Sequence, residues 1–171
     1  MGLELTEKAV VGTQNITDNC FVCGINNTLG VHARFFNLDD GSVCALFVAR
    51  EEHQGYAGRV HGGILSAVLD ETIGRAVQVR SPDTFGVTIE LTVKYRKPAP
   101  LGEELRAVGR IDREARRLFE GSGELLLPDG TVAVEATAKY VRLEIENIVE
   151  GGLDEVGWLA DDRPAPETIV T

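Results

Sequence analysis

A chain of 171 residues that is 43% hydrophobic and 26% charged is long enough to bury one core, so a single domain is expected. Its net charge of −10 argues against a nucleic-acid partner, because proteins that bind nucleic acids need a basic face to neutralise phosphates. No stretch approaches the ~20 apolar residues that cross a bilayer, so we expect no membrane partner.

The first recognisable feature is a pair of cysteines separated by two residues, Cys20 and Cys23. This spacing is typical of half a zinc site, but a closed site needs four ligands, and only Cys44 and His32 could complete it. We therefore expect neither a metal nor another cofactor. An odd number of cysteines, and an N-terminus without a basic region followed by an apolar run, predict a reducing, cytoplasmic location.

Residues 30–50 alternate loosely between apolar and polar types around the turn Asp39-Asp40-Gly41, which predicts an antiparallel hairpin. From Ile64 to Val79 the apolar residues recur at intervals of three and four, which predicts one long helix. The helix should end at Ser81-Pro82, because the residue before a proline resists the helical conformation.

Four further strands are predicted at 85–96, 104–113, 118–127 and 131–143. In the first of them we expect one buried and one polar face, the buried face being Val87, Ile89, Leu91 and Val93 and the polar face Thr88, Glu90, Thr92 and Lys94. Two strands, one helix and four strands cannot form a parallel doubly wound sheet, which needs a helix in every crossover. The sequence therefore predicts an α+β fold, a curved antiparallel sheet around one central helix.

We assign residues 1–146 to this domain, with residues 1–18 as an N-terminal extension. Residues 147–171 form an acidic tail, which has six acidic residues against Arg163 alone and no clear hydrophobic period. Gly151-Gly152 and the segment 163–166 predict that this tail is poorly ordered.

The most informative segment for function is the loop from Gln54 to Gly63, which leads directly into the predicted helix. Two glycines at a helix start are unfavourable, since each costs up to ~1 kcal/mol relative to alanine in a helix interior. Either Gly62 and Gly63 let a ligand approach the bare first-turn amides, or they allow the helix to pack tightly on the sheet.

Asp70 lies between Leu69 and Ile73 in an otherwise apolar part of the helix. Burying an unpaired carboxylate is expensive, so a buried Asp70 would have a function. The alternative, that Asp70 simply points outward with Glu71, is equally compatible with the spacing.

Two motifs resemble the PaaI-like hotdog-fold thioesterases. The first is His61-Gly62-Gly63, with Asp70 nine residues after the histidine and Tyr95 before Arg96-Lys97-Pro98. The second is the opening Cys20-Phe21-Val22-Cys23-Gly24, which resembles the CxxCG opening of many of these relatives. The chain departs from the usual asparagine-proline of that opening, with Asn27-Thr28 in its place, and this leaves the catalytic assignment unchanged.

The resemblance implies an acyl-CoA thioesterase and a role for each matching residue. It implies that the Gly62 amide binds the thioester oxygen, that Asp70 acts as nucleophile or general base, and that Thr88 orients the water or the carboxylate. Gln54 corresponds to a polar loop residue that helps to hold the substrate in relatives. His61 corresponds to a histidine that more often fixes the loop than takes part in catalysis.

A spacing argument predicts that the site needs two chains. Gly62 and Asp70 are eight residues apart, which is ~12 Å along one helix, so a single carbonyl cannot touch both. Two antiparallel helices related by a twofold axis would bring the Gly62 end of one protomer beside Asp70 of the other. We therefore expect a homodimer, which the family arrangement also implies, and further assembly to a tetramer.

Coenzyme A phosphates need cations, and Lys94 and Arg96 follow the Thr88 strand near the place where relatives hold the nucleotide; Arg75 and Arg110 are weaker candidates. Ordinary solvated surface charge explains these residues equally well. Two rival functions stay open. One is a non-catalytic acyl-CoA-binding module, and the other is a dehydratase or hydratase acting on 3-hydroxyacyl or enoyl thioesters.

Overall fold

A computed structural model describes residues 5–171 of the chain. It contains eight strands and two α-helices: β1 (Glu7–Thr13), β2 (Arg34–Leu38), β3 (Val43–Val48), α1 (Gly62–Arg75), β4 (Phe85–Tyr95), β5 (Glu104–Glu114), β6 (Leu118–Leu126), β7 (Val132–Leu143), α2 (Gly152–Val156) and β8 (Thr168–Val170). Within that range no helix is both long and apolar enough to span a bilayer.

All eight strands belong to one sheet in the order β4-β7-β6-β5-β3-β2-β1-β8, and every pairing in it is antiparallel. The sheet packs on α1, which contacts β3, β4, β5, β6 and β7. The main core lies between this helix and the sheet. The α+β hotdog fold predicted from the sequence is therefore confirmed.

The predicted hairpin and helix are both present. β2 pairs with β3 across the turn at Asp40 and Gly41, where Gly41 takes a φ of 83° that favours glycine. The helical stretch begins two residues earlier than predicted, at Gly62, and a 3-10 turn continues it from Ala76 to Val79. Both glycines of the helix start are thus inside the first turn of α1.

Glycines in β5 and β6 let α1 approach the sheet closely. A Cβ on Gly109 would lie 2.7 Å from the Thr72 carbonyl oxygen of α1. On Gly121 and Gly123 it would lie 2.7 and 3.0 Å from side-chain atoms of Ile73. The sheet therefore has a groove lined with glycine, and α1 lies in it.

The predicted faces of β4 are wrong in its first half. A bulge between Thr88 and Glu90 interrupts the register with β7, so the alternation of side chains reverses there. Before the bulge, Thr88 faces α1 and Val87 is exposed; after it, Leu91 and Val93 pack against the core. Ile89, the extra residue of the bulge, is 57% exposed.

The acidic tail differs from the expectation of poor order. β8 pairs with β1, and Ile169 of β8 is buried in a second hydrophobic cluster with Phe36 and Leu38. The Arg34 guanidinium donates to Asp161 at 2.7 Å and to two backbone carbonyls of the tail. Buried apolar side chains and a shielded ion pair fix this segment, although its sequence has no regular period.

Candidate active site

Asp70 lies near the middle of α1 and faces the first half of β4. The hydroxyl of Thr88 donates a hydrogen bond of 2.8 Å to the Asp70 carboxylate. The bulge in β4 makes this contact possible, because it turns Thr88 toward the helix while the second half of the strand keeps its apolar residues inward. The structure thus brings together two of the residues singled out from the sequence.

Tyr140 of β7 is a third member of the site that sequence reasoning missed. Its hydroxyl donates to the Asp70 carbonyl oxygen at 2.7 Å and lies 3.2 Å from the same carboxylate oxygen that Thr88 contacts. The ring is buried and stacks on Phe119 at 4.8 Å between centroids. Its position opposite Thr88 shows only in the register of β4 with β7, so no local sequence signal identified it.

These surroundings act on the Asp70 carboxylate in opposite directions. Burial raises the pKa of Asp70 above its ordinary value, and the charge of Glu71 acts in the same direction. The hydrogen bonds from Thr88 and Tyr140 favour the ionised form and lower the pKa. Burial, together with the Asp70 charge, also raises the pKa of Tyr140, so its hydroxyl keeps its proton and serves as a donor.

The start of α1 forms a second group of polar contacts. His61 is the N-cap, and its Nδ1 accepts a hydrogen bond of 2.9 Å from the Gly63 amide. The Tyr95 hydroxyl donates to the Gly62 carbonyl at 2.8 Å and also contacts Ser66. Among the hydrogen bonds of residues 5–171, none uses the Gly62 amide as donor, so this N–H is available to a ligand.

The two groups lie at different ends of the same pair of elements. Gly62 and Tyr95 mark one end of α1 and β4, while Asp70 and Thr88 lie eight residues along the helix and seven back along the strand. One helix therefore separates the Gly62 amide from the Asp70 carboxylate by ~12 Å. Within one protomer these groups form two half-sites.

Gln54 takes part in the loop before α1. Its side-chain oxygen accepts a hydrogen bond of 2.9 Å from the Gly58 amide, and its backbone forms a bridge with Val60. A neighbouring residue, His53, is buried and holds the loop through the Arg50 amide and the Leu29 carbonyl. Gln54 is exposed, and its role in substrate binding stays a prediction.

The candidate cations for coenzyme A differ in their surroundings. Lys94 is exposed, and Arg96 forms an ion pair with Glu135 at 2.8 Å; both lie at the Gly62 end of β4. The Arg110 guanidinium donates two hydrogen bonds to the Glu124 carboxylate. Arg75 is excluded as a phosphate ligand, because it is buried against Glu71 and its guanidinium lies over the Phe35 ring at 4.2 Å.

The cysteine pair lies beside Asp70, in a cluster different from the one considered in the sequence. The ligand atoms of Cys20, Cys23 and Glu71 lie within 4.8 Å of one another. The Arg75 guanidinium donates to both Cys23 Sγ, at 3.2 Å, and Glu71, at 2.8 Å, so a cationic group already contacts these two groups. Cys44 is buried in the second hydrophobic cluster, away from this group.

A cavity of about 390 Å³ opens beside the Asp70 carboxylate. Asp70, Thr88 and Tyr140 line it at the catalytic end. Most of its other walls are apolar and come from β4 and from the segment after β7: Phe85, Ile145, Ile148, Val149, Val156 and Trp158. An acid or base with a raised pKa beside an apolar cavity is a typical arrangement for catalysis.

Comparison with known proteins identifies the family of the chain. A family model described as the thioesterase superfamily matches residues 57–142. The chain is 28% identical over 116 residues to the acyl-coenzyme A thioesterase THEM4 of Mus musculus, a match that covers 67% of this chain and 49% of THEM4. It thus spans about half the length of that curated relative.

Solved structures support the fold. A crystal structure of a thioesterase superfamily protein superposes with a TM-score of 0.67 at 30% identity, covering 74% of this chain and 64% of the other. The E. coli PaaI protein superposes with a TM-score of 0.60, covering 66% and 80% of the two chains, and its 15% identity shows the fold alone. Because the family model matches half of the chain and takes in α1, Asp70, Thr88 and Tyr140, the chain belongs to the thioesterase superfamily.

Proposed function

We propose that the chain is an acyl-CoA thioesterase whose site is built across a homodimer. The observation that carries the proposal is the Asp70 carboxylate, held by Thr88 and Tyr140 at the mouth of an apolar cavity. Membership of the thioesterase superfamily and the acyl-coenzyme A thioesterase activity named for THEM4 support it.

Asp70 would act on the thioester carbon, either directly as nucleophile or as general base toward a water. The hydrogen bonds from Thr88 and Tyr140 fix one carboxylate oxygen and leave the other free for the reaction. The first route forms an acyl-aspartyl anhydride and releases the CoA thiolate, and water then hydrolyses the anhydride. In the second route the water adds to the carbon and the same thiolate leaves.

The oxyanion that forms in either route needs a donor about 2.9 Å away, which Asp70's own helix does not supply. We propose that the Gly62 amide of the partner subunit supplies it. β4 is an edge strand with Val87 and Ile89 exposed, and Gly63, in the first turn of α1, is also exposed. These features would allow a second copy to pack with its helix antiparallel to the first.

The remaining predicted residues would hold the coenzyme at the Gly62 end of the site. Gly63 would leave room for the pantetheine, Gln54 would contact it from the loop, and Lys94 and Arg96 would neutralise phosphates. His61 would keep the helix start in place through its contact with Gly63. Further pairing to a tetramer and a cytoplasmic location belong to the same proposal.

The test is release of free thiol from a panel of acyl-CoAs by the purified protein. We expect Asp70→Asn to abolish release, because the amide can neither attack nor take a proton, and Thr88→Ala to slow it less. Glu90→Gln is the matched control, since it removes an exposed β4 carboxylate that pairs with Lys139. Near-normal turnover by Asp70→Asn would overturn the proposal.

Thiol release, measured together with acyl-CoA binding and enoyl absorbance, separates the two rival functions. Binding of acyl-CoA without thiol release would support a non-catalytic module. Loss of the enoyl absorbance from an enoyl-CoA, again without free thiol, would support a dehydratase or hydratase.

A further inference from the structure

The cavity beside Asp70 extends toward the C-terminal end of α1. Asp70, Gly74 and Gln78 line it, and they lie on one side of the helix at successive intervals of four residues. From the first to the last of them is ~12 Å along the helix axis. The cavity is therefore a channel that starts at the reactive carboxylate and leads away from the Gly62 end.

The segment that follows β7 forms a wall of this channel. Trp158 lies there, with its ring edge to face with Phe85 at 5.6 Å between centroids and 5.2 Å from the Arg75 guanidinium. A backbone bridge between Ile16 and Leu159 and the ion pair of Arg34 with Asp161 hold the segment in place. Every wall residue from Ile145 onward lies outside the residues that match the family model.

We propose that this channel binds the acyl group of the substrate, and that Trp158 sets the longest acyl chain that fits. The inference rests on the proposed thioesterase function and adds the substrate class to it. The class is an apolar acyl chain of medium length, since the cavity has a volume of about 390 Å³ and its lining extends ~12 Å along the helix from Asp70 to Gln78.

The polar residues along the channel favour an uncharged chain. Arg75 and Glu71 neutralise each other at 2.8 Å, so neither is free to pair with a charged acyl group. Gln78 donates to the Thr84 carbonyl at 3.2 Å. Thr17, Cys20, Gly74 and Gly86 also line the cavity. The walls from Phe85 and from the segment after β7 are aliphatic or aromatic, and an apolar chain gains free energy when it leaves water for such a surface.

The first test uses Trp158 itself, since it is the only tryptophan in the sequence. Asp70→Asn protein, which has no charge to repel a carboxylate, is titrated with butanoate, decanoate and hexadecanoate while tryptophan emission is recorded. Each methylene that enters the channel should tighten binding roughly fourfold, so decanoate should bind at least about a hundredfold more tightly than butanoate. No emission change with decanoate, or equal affinities for all three, would overturn the inference.

The second test measures kcat/KM for acyl-CoAs of increasing length with two variants that change the channel in opposite directions. Trp158→Ala should raise the ratio of kcat/KM for hexadecanoyl-CoA to kcat/KM for decanoyl-CoA by about tenfold or more. Val149→Phe should lower this ratio and favour shorter chains. Leu153→Ala is the control, because Leu153 is in the same segment but outside the channel walls. If Trp158→Ala fails to fold, Val149→Phe still provides the comparison.

The outcomes keep the inference distinct from the proposed function. The wild type, Trp158→Ala, Val149→Phe and Leu153→Ala could all release thiol with the same dependence on acyl-chain length. That result would refute the channel assignment and leave the proposed thioesterase function in place. Tight binding of decanoate without thiol release from any acyl-CoA would support the channel and refute the hydrolase.

Discussion

Replacing Gly62 tests whether its amide is the oxyanion donor. Proline at this position removes the N–H and is otherwise well suited, because Gly62 is the first residue of α1 and His61 before it has φ −63° and ψ 134°. Alanine is the matched control, since it adds the same Cβ and keeps the N–H. That Cβ would lie 3.1–3.3 Å from the Tyr95 ring, which a small ring movement can relieve.

The expected difference follows from the loss of one donor. Removing one hydrogen bond to a developing oxyanion costs on the order of 100-fold to 1,000-fold in kcat. We therefore expect Gly62→Pro to have at least about 100-fold lower kcat than Gly62→Ala, with both folded by circular dichroism. The assay is thiol release from the preferred acyl-CoA under saturating substrate.

Mixing variants tests whether the donor comes from the partner. After denaturation and joint refolding, equal amounts of Gly62→Pro and Asp70→Asn should give about half heterodimers, each with one complete site out of two. Activity should recover to about a quarter of the wild-type value, although each variant alone is inactive. Gly62→Pro activity within twofold of Gly62→Ala, or no recovery in well-formed heterodimers, would refute the reasoning.

Three further changes have expected outcomes. Tyr140→Phe removes a hydrogen bond that favours the ionised Asp70 carboxylate, so the acid limb of the pH dependence of kcat/KM should move to higher pH. An acid limb at the wild-type pH would show that Tyr140 does not act on this carboxylate. Burial raises the folded-state pKa of Asp70 above 3.8, so the stability that depends on its protonated form is full below that ordinary value and is lost as the pH rises through the folded-state value. Asp70→Asn should therefore exceed the wild type in Tm by more at about pH 7 than at about pH 3, and an equal difference at the two pH values would contradict the raised pKa. Gly109→Ala places a Cβ 2.7 Å from a helix carbonyl, so thermal unfolding should show a loss of about 1–3 kcal/mol. Gly12→Ala is the control, because Gly12 is also a strand glycine without a positive φ and its Cβ would come no closer than 3.4 Å to another residue.

The regular part of the fold was predictable because its signals are local. The helical period of residues 64–79 and the turns at Gly41 and Gly130 each depend on a few neighbouring residues. The contact between Thr88 and Asp70 came from the resemblance rather than from periodicity. The alternation of β4, taken alone, put Val87 toward the helix and Thr88 away from it, and the structure reverses both.

The rest depended on contacts between distant parts of the chain. The β4 bulge shows only in the register with β7, and Tyr140 becomes part of the site because that register sets it opposite Thr88. The tail is ordered through Arg34, Ile16 and β1, which lie more than a hundred residues away in sequence. Local sequence patterns within residues 147–171 cannot reveal these distant partners.

The pairing of β8 with β1 bears on how the molecule can be shortened. Thr6 and Thr171 exchange two backbone hydrogen bonds of 2.9 Å, so both ends of the described chain meet at one margin of the sheet. Cutting the chain at residue 146 would remove Ile169 from Phe36 and Leu38 and leave β1 as a bare edge. A fragment that ends at residue 146 would then expose an unpaired edge strand and would tend to self-associate during purification.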